Sequence, residues 1–397
     1  MMSRRQSLSG EGSRPRSPVC IWAGRLLWPL PALFAWLAQR WLAENPAFTE
    51  TIHARYIFRW LSRPIAAATS LLPFSITELL AAAAVLFLPL LLLIWLIRLF
   101  RRPDRLNRAG RLLRRAAWTA SLLYLVFMLL HGFNYARQPL AVMMDLPSEA
   151  RPLEDLTDTT AWLIDQTVRL RESRAENEEG SFAYQVSRRD MLKKAADGYA
   201  AAAYDYPLLS GPNVRPKPVQ LSHYWSYTGI TGMYFPFLVE ANVNIDTPPD
   251  QIMFTTLHEI AHLRGFARED EANFLAFITG LYHPDADFTY AALLSASVHC
   301  LNAVYRLDPA QHAELASRLS DPVRRDLTAR SLYWKQFEGP VQTASTKVNH
   351  AYLQANLQTD GVHSYGRMVD LVIAWHRQAA DNGALAEWQD RLAAAGD

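Results

Sequence analysis

Residues 255–280 read TTLHEIAHLRGFAREDEANFLAFITG, and the five residues HEIAH within this stretch decide how the chain is read. On a helix, positions four apart share a face, so the imidazoles of His258 and His262 can reach one metal ion. Glu259 lies beside them, close enough to touch a metal-bound water without being a ligand. Such a metal lowers the pKa of its water towards ~7, and the carboxylate takes the proton and passes it to a leaving amine. The motif is short, so its flanks carry weight. Asp246-Thr247 followed by Pro248 and Pro249 predicts a helix start. Leu257, Ile260 and Ala261 make the helix partly buried, where two unpaired histidines would be costly. Gly265, three residues after His262, suits a left-handed helix stop from which the chain turns back.

What the turn brings back is Glu269-Asp270-Glu271-Ala272-Asn273. A catalytic zinc site takes three protein ligands and keeps one position open. Glu269 is the expected third ligand and Glu271 the alternative. Asn273 lies one turn beyond Glu269 on the same face, where it can steady a histidine ligand as its outer partner. A charged, solvated helix start is the plainer reading of the same run. Upstream, Pro218 to Asn244 is aromatic, β-branched and punctuated by glycine, which predicts one or two strands with turns. Within it, residues 235–244 (FPFLVEANVN) are expected to be the sheet edge beside the metal that aligns a substrate backbone by strand addition. Glu240 and Asn242 are then either polar contacts in the cleft or ordinary turn and edge residues. Downstream, Tyr365 in GVHSYGRMVDLVIAW is the candidate donor to the oxyanion of a tetrahedral intermediate. His223, His283 and His299 have no ligand-like spacing.

The 397-residue chain carries a net charge of +2, which conceals a strongly basic first third. Cys20 and Cys300 are its two cysteines, too few for a disulfide framework or a cysteine metal site, so a metal must be held by His and carboxylate. There is no internal repeat and no glycine-rich phosphate loop. Residues 1–20, rich in Ser, Arg, Gly and Pro, are expected to be a disordered basic cytoplasmic tail. Three apolar segments follow, at about 21–43, 76–96 and 118–133. The first is interrupted by Arg25, Arg40 and two prolines; the second is almost pure hydrocarbon and long enough to cross a bilayer.

The arginines set the expected orientation. Arg4, Arg5, Arg14, Arg16 and Arg25 precede or enter the first segment, and a loop from Arg98 to Arg115 separates the second from the third. Both should be cytoplasmic, although the 44–75 loop with Arg55, Arg59 and Arg63 weakens the contrast. Because the arginine clusters flank apolar segments, the partner they imply is a lipid bilayer and not nucleic acid. The expectation is a multi-pass protein of a bacterial inner membrane, with residues 21–137 as a three-helix anchor and 138–397 as an extracytoplasmic domain.

The E-x-x-A-[ND] spacing from Glu269 resembles the third-ligand helix of gluzincin-type peptidases, where the glutamate binds zinc and the later polar residue steadies a histidine. Six residues separate His262 from Glu269, short for that group. The short turn through Gly265 is closer to metzincins, but Arg268 stands where their third histidine would. The strings GITGMYFPFLVEANVN (229–244) and TTLHEIAHLRGFAREDEANFLAFITG, with HGFNYARQPL (131–140) and SYGRMVDL (364–371), closely resemble an uncharacterised bacterial membrane-protein family, domain of unknown function 3810. The resemblance covers most of the chain and implies a membrane-bound HExxH metallopeptidase. The expected fold is mainly α, a three-helix transmembrane anchor followed by a zincin-like α+β domain with a small sheet. The expected chemistry is hydrolysis of a peptide or protein substrate with one Zn²⁺ per chain. A zinc-dependent hydrolase of a non-peptide envelope substrate, and a non-catalytic envelope protein with a structural metal, are the alternatives. Oligomeric state stays open.

Overall fold

The computed structural model describes residues 27–101, 103–147, 153–212, 214–358 and 367–389. Helix α1 (Leu30–Glu44) covers 15 residues of the first apolar segment, whose start lies outside the described residues. The chain then stays helical, through a π-helical stretch (Thr49–Phe58) into α2 (Arg59–Ser70). The expected loop at 44–75 is therefore mostly helix. Its buried face is Thr49, Glu50, His53, Ala54 and Phe58. That face has helical spacing but three of its five residues are polar, so hydropathy does not register it.

Among the described residues, two helices are long and apolar enough to cross a membrane, α3 (Ile76–Phe100) and α4 (Arg105–Leu130). Ser75 caps α3 by accepting from the backbone N–H of Glu78. Only Thr77 of that helix is buried; Val85 and Leu86, mid-helix, are 74% and 69% exposed. An apolar surface so extensive and so uncovered points to membrane association. The expected arginine-rich loop is shorter than it reads: Arg105, Arg108, Arg111, Arg114 and Arg115 belong to the first turns of α4. Arginine is a good helix former, so charge alone does not end a helix.

The remaining chain builds a mainly helical body around a three-stranded sheet. Its principal elements are α5 (Leu153–Arg171), β1 (Lys217–Val219), β2 (Gly232–Phe235), β3 (Glu240–Asn244), α6 (Pro249–Leu263), α7 (Glu269–Leu281), α8 (Ala286–Leu307), α9 (Asp321–Lys335), α10 (Pro340–Ala355) and α11 (Met368–Asp381). The strand order is β1-β3-β2, with β1 parallel and β2 antiparallel to β3. The expected edge strand at 235–244 is thus divided: β3 is the central strand, and β2 is an edge strand. Helices α6, α7 and α8 pack into one core through Leu257, Ile260, Phe274, Phe277, Leu293 and Leu294, all buried. At its far side Arg171 of α5 is fully buried against Asp326 of α9, Nε to Oδ2 2.6 Å, and Tyr290 also donates to that carboxylate. Arg171→Met strands the buried Asp326 charge, and thermal or denaturant unfolding should show a loss of about 3–5 kcal/mol.

The two long apolar helices are fastened to this body at two places. Glu240 of β3 accepts from the backbone N–H groups of Ile76 (3.3 Å) and Thr77 (2.9 Å) and from the Thr77 hydroxyl (2.7 Å). Asn242 accepts from the Ser75 hydroxyl at 2.6 Å. Neither is the cleft contact considered from sequence. The Glu240 carboxylate satisfies two free N–H groups at the start of α3 and complements its positive dipole, while the Asn242 amide holds the capping hydroxyl of Ser75. In return, Glu78 in the first turn of α3 accepts from Gln220 and Leu221 backbone N–H groups.

The second fastening is the exit from α4. A 3-10 turn (Gly132–Ala136) leads to Arg137, whose guanidinium is buried between Glu50 (Nε to Oε2, 2.6 Å) and the carbonyl of Gly265 (2.7 Å). Arg268 donates to the carbonyls of Tyr135 and Arg137, and Glu271 accepts from the Leu140 N–H. The junction at residues 137 and 138 lies inside packed structure, so the long apolar helix α4 runs directly into the body.

Candidate metal centre

Helix α6 begins at Pro249, with proline in its first turn and no side-chain cap, and presents His258 and His262 on one face. It ends at Gly265, which adopts φ +88°. The Gly265 N–H returns to the His262 carbonyl (2.9 Å) and the Phe266 N–H to that of Ala261 (3.1 Å), the paired closure of a Schellman motif. The same turn aims the Phe266 carbonyl at His262 Nδ1, 2.7 Å away. Three residues on, α7 starts and carries Glu269 back over α6.

The result is a triangle of donors. His258 Nε2 and His262 Nε2 are 3.0 Å apart, and Glu269 Oε2 lies 3.2 and 3.5 Å from them. All three residues are buried. Tetrahedral ligands at 2.0–2.2 Å from zinc stand about 3.3 Å from one another, so the edges fit that ion to within a few tenths of an ångström. The outer nitrogens are occupied as well. His258 Nδ1 donates to Asn273 Oδ1 at 2.7 Å and His262 Nδ1 to Phe266 O, which turns both Nε2 atoms inward. Two imidazole nitrogens and one carboxylate oxygen are a donor set suited to zinc. Asn273→Ala frees the His258 ring, and zinc titration should show affinity lower by about 10–100-fold.

The charges are coupled. Burial opposes ionisation of Glu269, but the two imidazoles overcome it and hold the carboxyl well below the usual range. Burial also works against the His262 imidazolium, yet Glu269 and then Glu259 outweigh it and raise that group to about 9. Glu259, also buried, is pushed up to about 7, burial prevailing over the nearby histidines. The Tyr234 N–H on β2 favours its ionised form, while Oε2 is buried without a hydrogen-bond partner among the described residues. Strand β2 comes this close because residue 232 is glycine. A Cβ there would stand 2.5 Å from Glu259 Oε1.

Of the other residues singled out in the sequence, Glu271 does not join the triangle. Its carboxylate accepts from Arg268 (2.6 Å) and from the Leu140 N–H (2.8 Å), in the clamp on the α4 exit. Tyr365 lies outside the described residues. One neighbour was missed. His131, the residue that ends α4, is buried with its ring 6.0 Å from that of His262 and 5.3 Å from that of Tyr234. Its Nδ1 is buried with no hydrogen-bond partner among the described residues. The only sequence signal is a polar residue closing the apolar run LVFMLL.

A family model described as "Protein of unknown function (DUF3810)" matches residues 53–373. No curated protein and no solved structure matches the chain.

Proposed function

The chain belongs to the DUF3810 family of unknown function, and from its buried donor triangle we propose that it is a membrane-anchored, zinc-dependent metallopeptidase. The observation that carries the reading is the convergence of His258, His262 and Glu269 at zinc-like spacing beside a buried carboxylate oxygen with no partner, Glu259 Oε2. Zinc, when bound, supplies a Lewis acid and lowers the pKa of its water. Glu259 takes the proton from the attacking water and delivers it to the leaving amine. The edge of β2 aligns the substrate backbone. His131 donates to the carbonyl oxygen as negative charge develops there. The membrane reading adds an anchor of three crossings, α1 with the preceding apolar residues, α3 and α4, with the N-terminus cytoplasmic and the body outside.

A structural metal would be enclosed by a fourth protein ligand. Among the described residues none joins the three, which favours a site open to water. Incubating the zinc-loaded full chain with a peptide library, read by mass spectrometry, tests the proposal. A protein that holds zinc and cuts no peptide counts against it.

The proton on His262 gives a second check. With that group raised to about 9, zinc must displace a proton at every lower pH. Apparent zinc affinity should therefore climb about tenfold per pH unit from neutrality and level off above that value. Calorimetric titration across the range reads the slope directly, and a flat profile would contradict the assignment.

A further inference from the structure

We propose that this site works at the surface of the bilayer and takes as substrate a stretch of polypeptide immediately next to a membrane anchor. The inference rests on the peptidase reading and on α3 and α4 as spans. From the Ser75 cap to Arg98, α3 offers residues 76–97, about 33 Å at 1.5 Å per residue, against about 30 Å of hydrocarbon. The apolar layer on the body's side therefore ends at the first turn of α3. On α4 the arginines run to Arg115, and only residues 116–130 follow, about 22 Å. Even with long arginines reaching back toward the opposite headgroups, the layer extends to Leu130 or beyond it.

One hairpin touches both of these ends. Glu240 of β3 holds the backbone of Ile76 and Thr77, and its partner across the ladder is Phe235 of β2. The next residue, Tyr234, donates through its hydroxyl to the Leu130 carbonyl at 3.4 Å. The β2–β3 hairpin therefore lies against the membrane boundary as two separate helices define it. Its free edge, β2, is the strand whose Tyr234 N–H reaches Glu259. His131, one residue past α4, reaches the same metal centre from below.

The surface around the α3 entry fits this level. Leu71 (84% exposed), Leu72 and Phe74 precede the helix, and Leu221, whose N–H is held by Glu78, is followed by Tyr224 (69% exposed). Apolar and aromatic side chains collected at a helix entry are interfacial anchors. A polypeptide laid along β2 is thus held just above the hydrocarbon. The first few residues outside a membrane anchor are already there, at high effective concentration.

The test uses the full chain with zinc, reconstituted in phosphatidylcholine–phosphatidylglycerol vesicles with the body facing outward. Three peptides carry one cleavable sequence, chosen from the library above: joined to a transmembrane helix by about three Gly/Ser residues, joined by about 30, or free in solution. The expected result is cleavage of the short-spacer peptide at least about tenfold faster than the other two, and about 10²–10⁴-fold slower in Glu259→Gln. Equal rates, or faster cleavage of the long-spacer or free peptide, overturn the surface proposal and leave the peptidase reading intact. No cleavage of any peptide by zinc-loaded protein overturns both.

Discussion

Glu259→Gln is expected to retain zinc and to lower kcat by about 10²–10⁴-fold, the usual contribution of a positioned general base. The amide has the shape of the carboxylate, and its oxygen can occupy the same place beside β2. It cannot take a proton from water. The substitution also removes a group that burial already pushes up to about 7, so folding should be unharmed or slightly favoured. Metal content by mass spectrometry and turnover of a cleaved peptide separate the two properties. Undiminished turnover would remove Glu259 from the mechanism.

His262→Ala has the complementary outcome. The full chain purified in detergent with zinc should hold about one ion, and the variant none. The loss goes beyond one ligand. The Phe266 carbonyl loses its donor, and buried Glu269 loses the charge that keeps its carboxyl low. Added zinc should raise the melting temperature of the wild type, by the equivalent of about 2.7 kcal/mol at a hundredfold excess over Kd, and leave the variant unchanged. A folded wild type that takes up no zinc would leave HEIAH as a buried helix motif without a metal.

The two predictions concern the most local part of the molecule, which is why their residues could be picked from the sequence. His258, Glu259, His262, Glu269 and Asn273 fall within 16 positions on two consecutive helices. Helical periodicity and one glycine turn are enough to bring such residues near one another. Family membership was equally legible, because the strings around HEIAH and GITGMYFPF are long. Other features depend on contacts that no spacing encodes. Glu240 and Asn242 meet α3 across 163 to 167 positions, and their residue types suit a cleft as well as a helix cap. His131 sits 131 positions before His262, at the end of a helix read only for its hydropathy. The helical run after α1 escaped notice because its buried face includes Thr49, Glu50 and His53, which answer to polar neighbours within the fold. Division of the 235–244 stretch at Pro236–Val239 also needed the backbone, since Val239 turns with φ 50°.

The packed junction at residues 137 and 138 has a consequence for how such a protein can be controlled. Many membrane-bound enzymes are shed by a cut in a stalk and go on working in solution. Here a cut at that point severs His131, Tyr135 and Arg137 from the residues they pack against. The Gly265 carbonyl then loses its guanidinium, and the turn that sets His262 loses its brace. On the proposed reading, shedding and inactivation become one event, and a peptidase of this design would act only at the membrane that holds it.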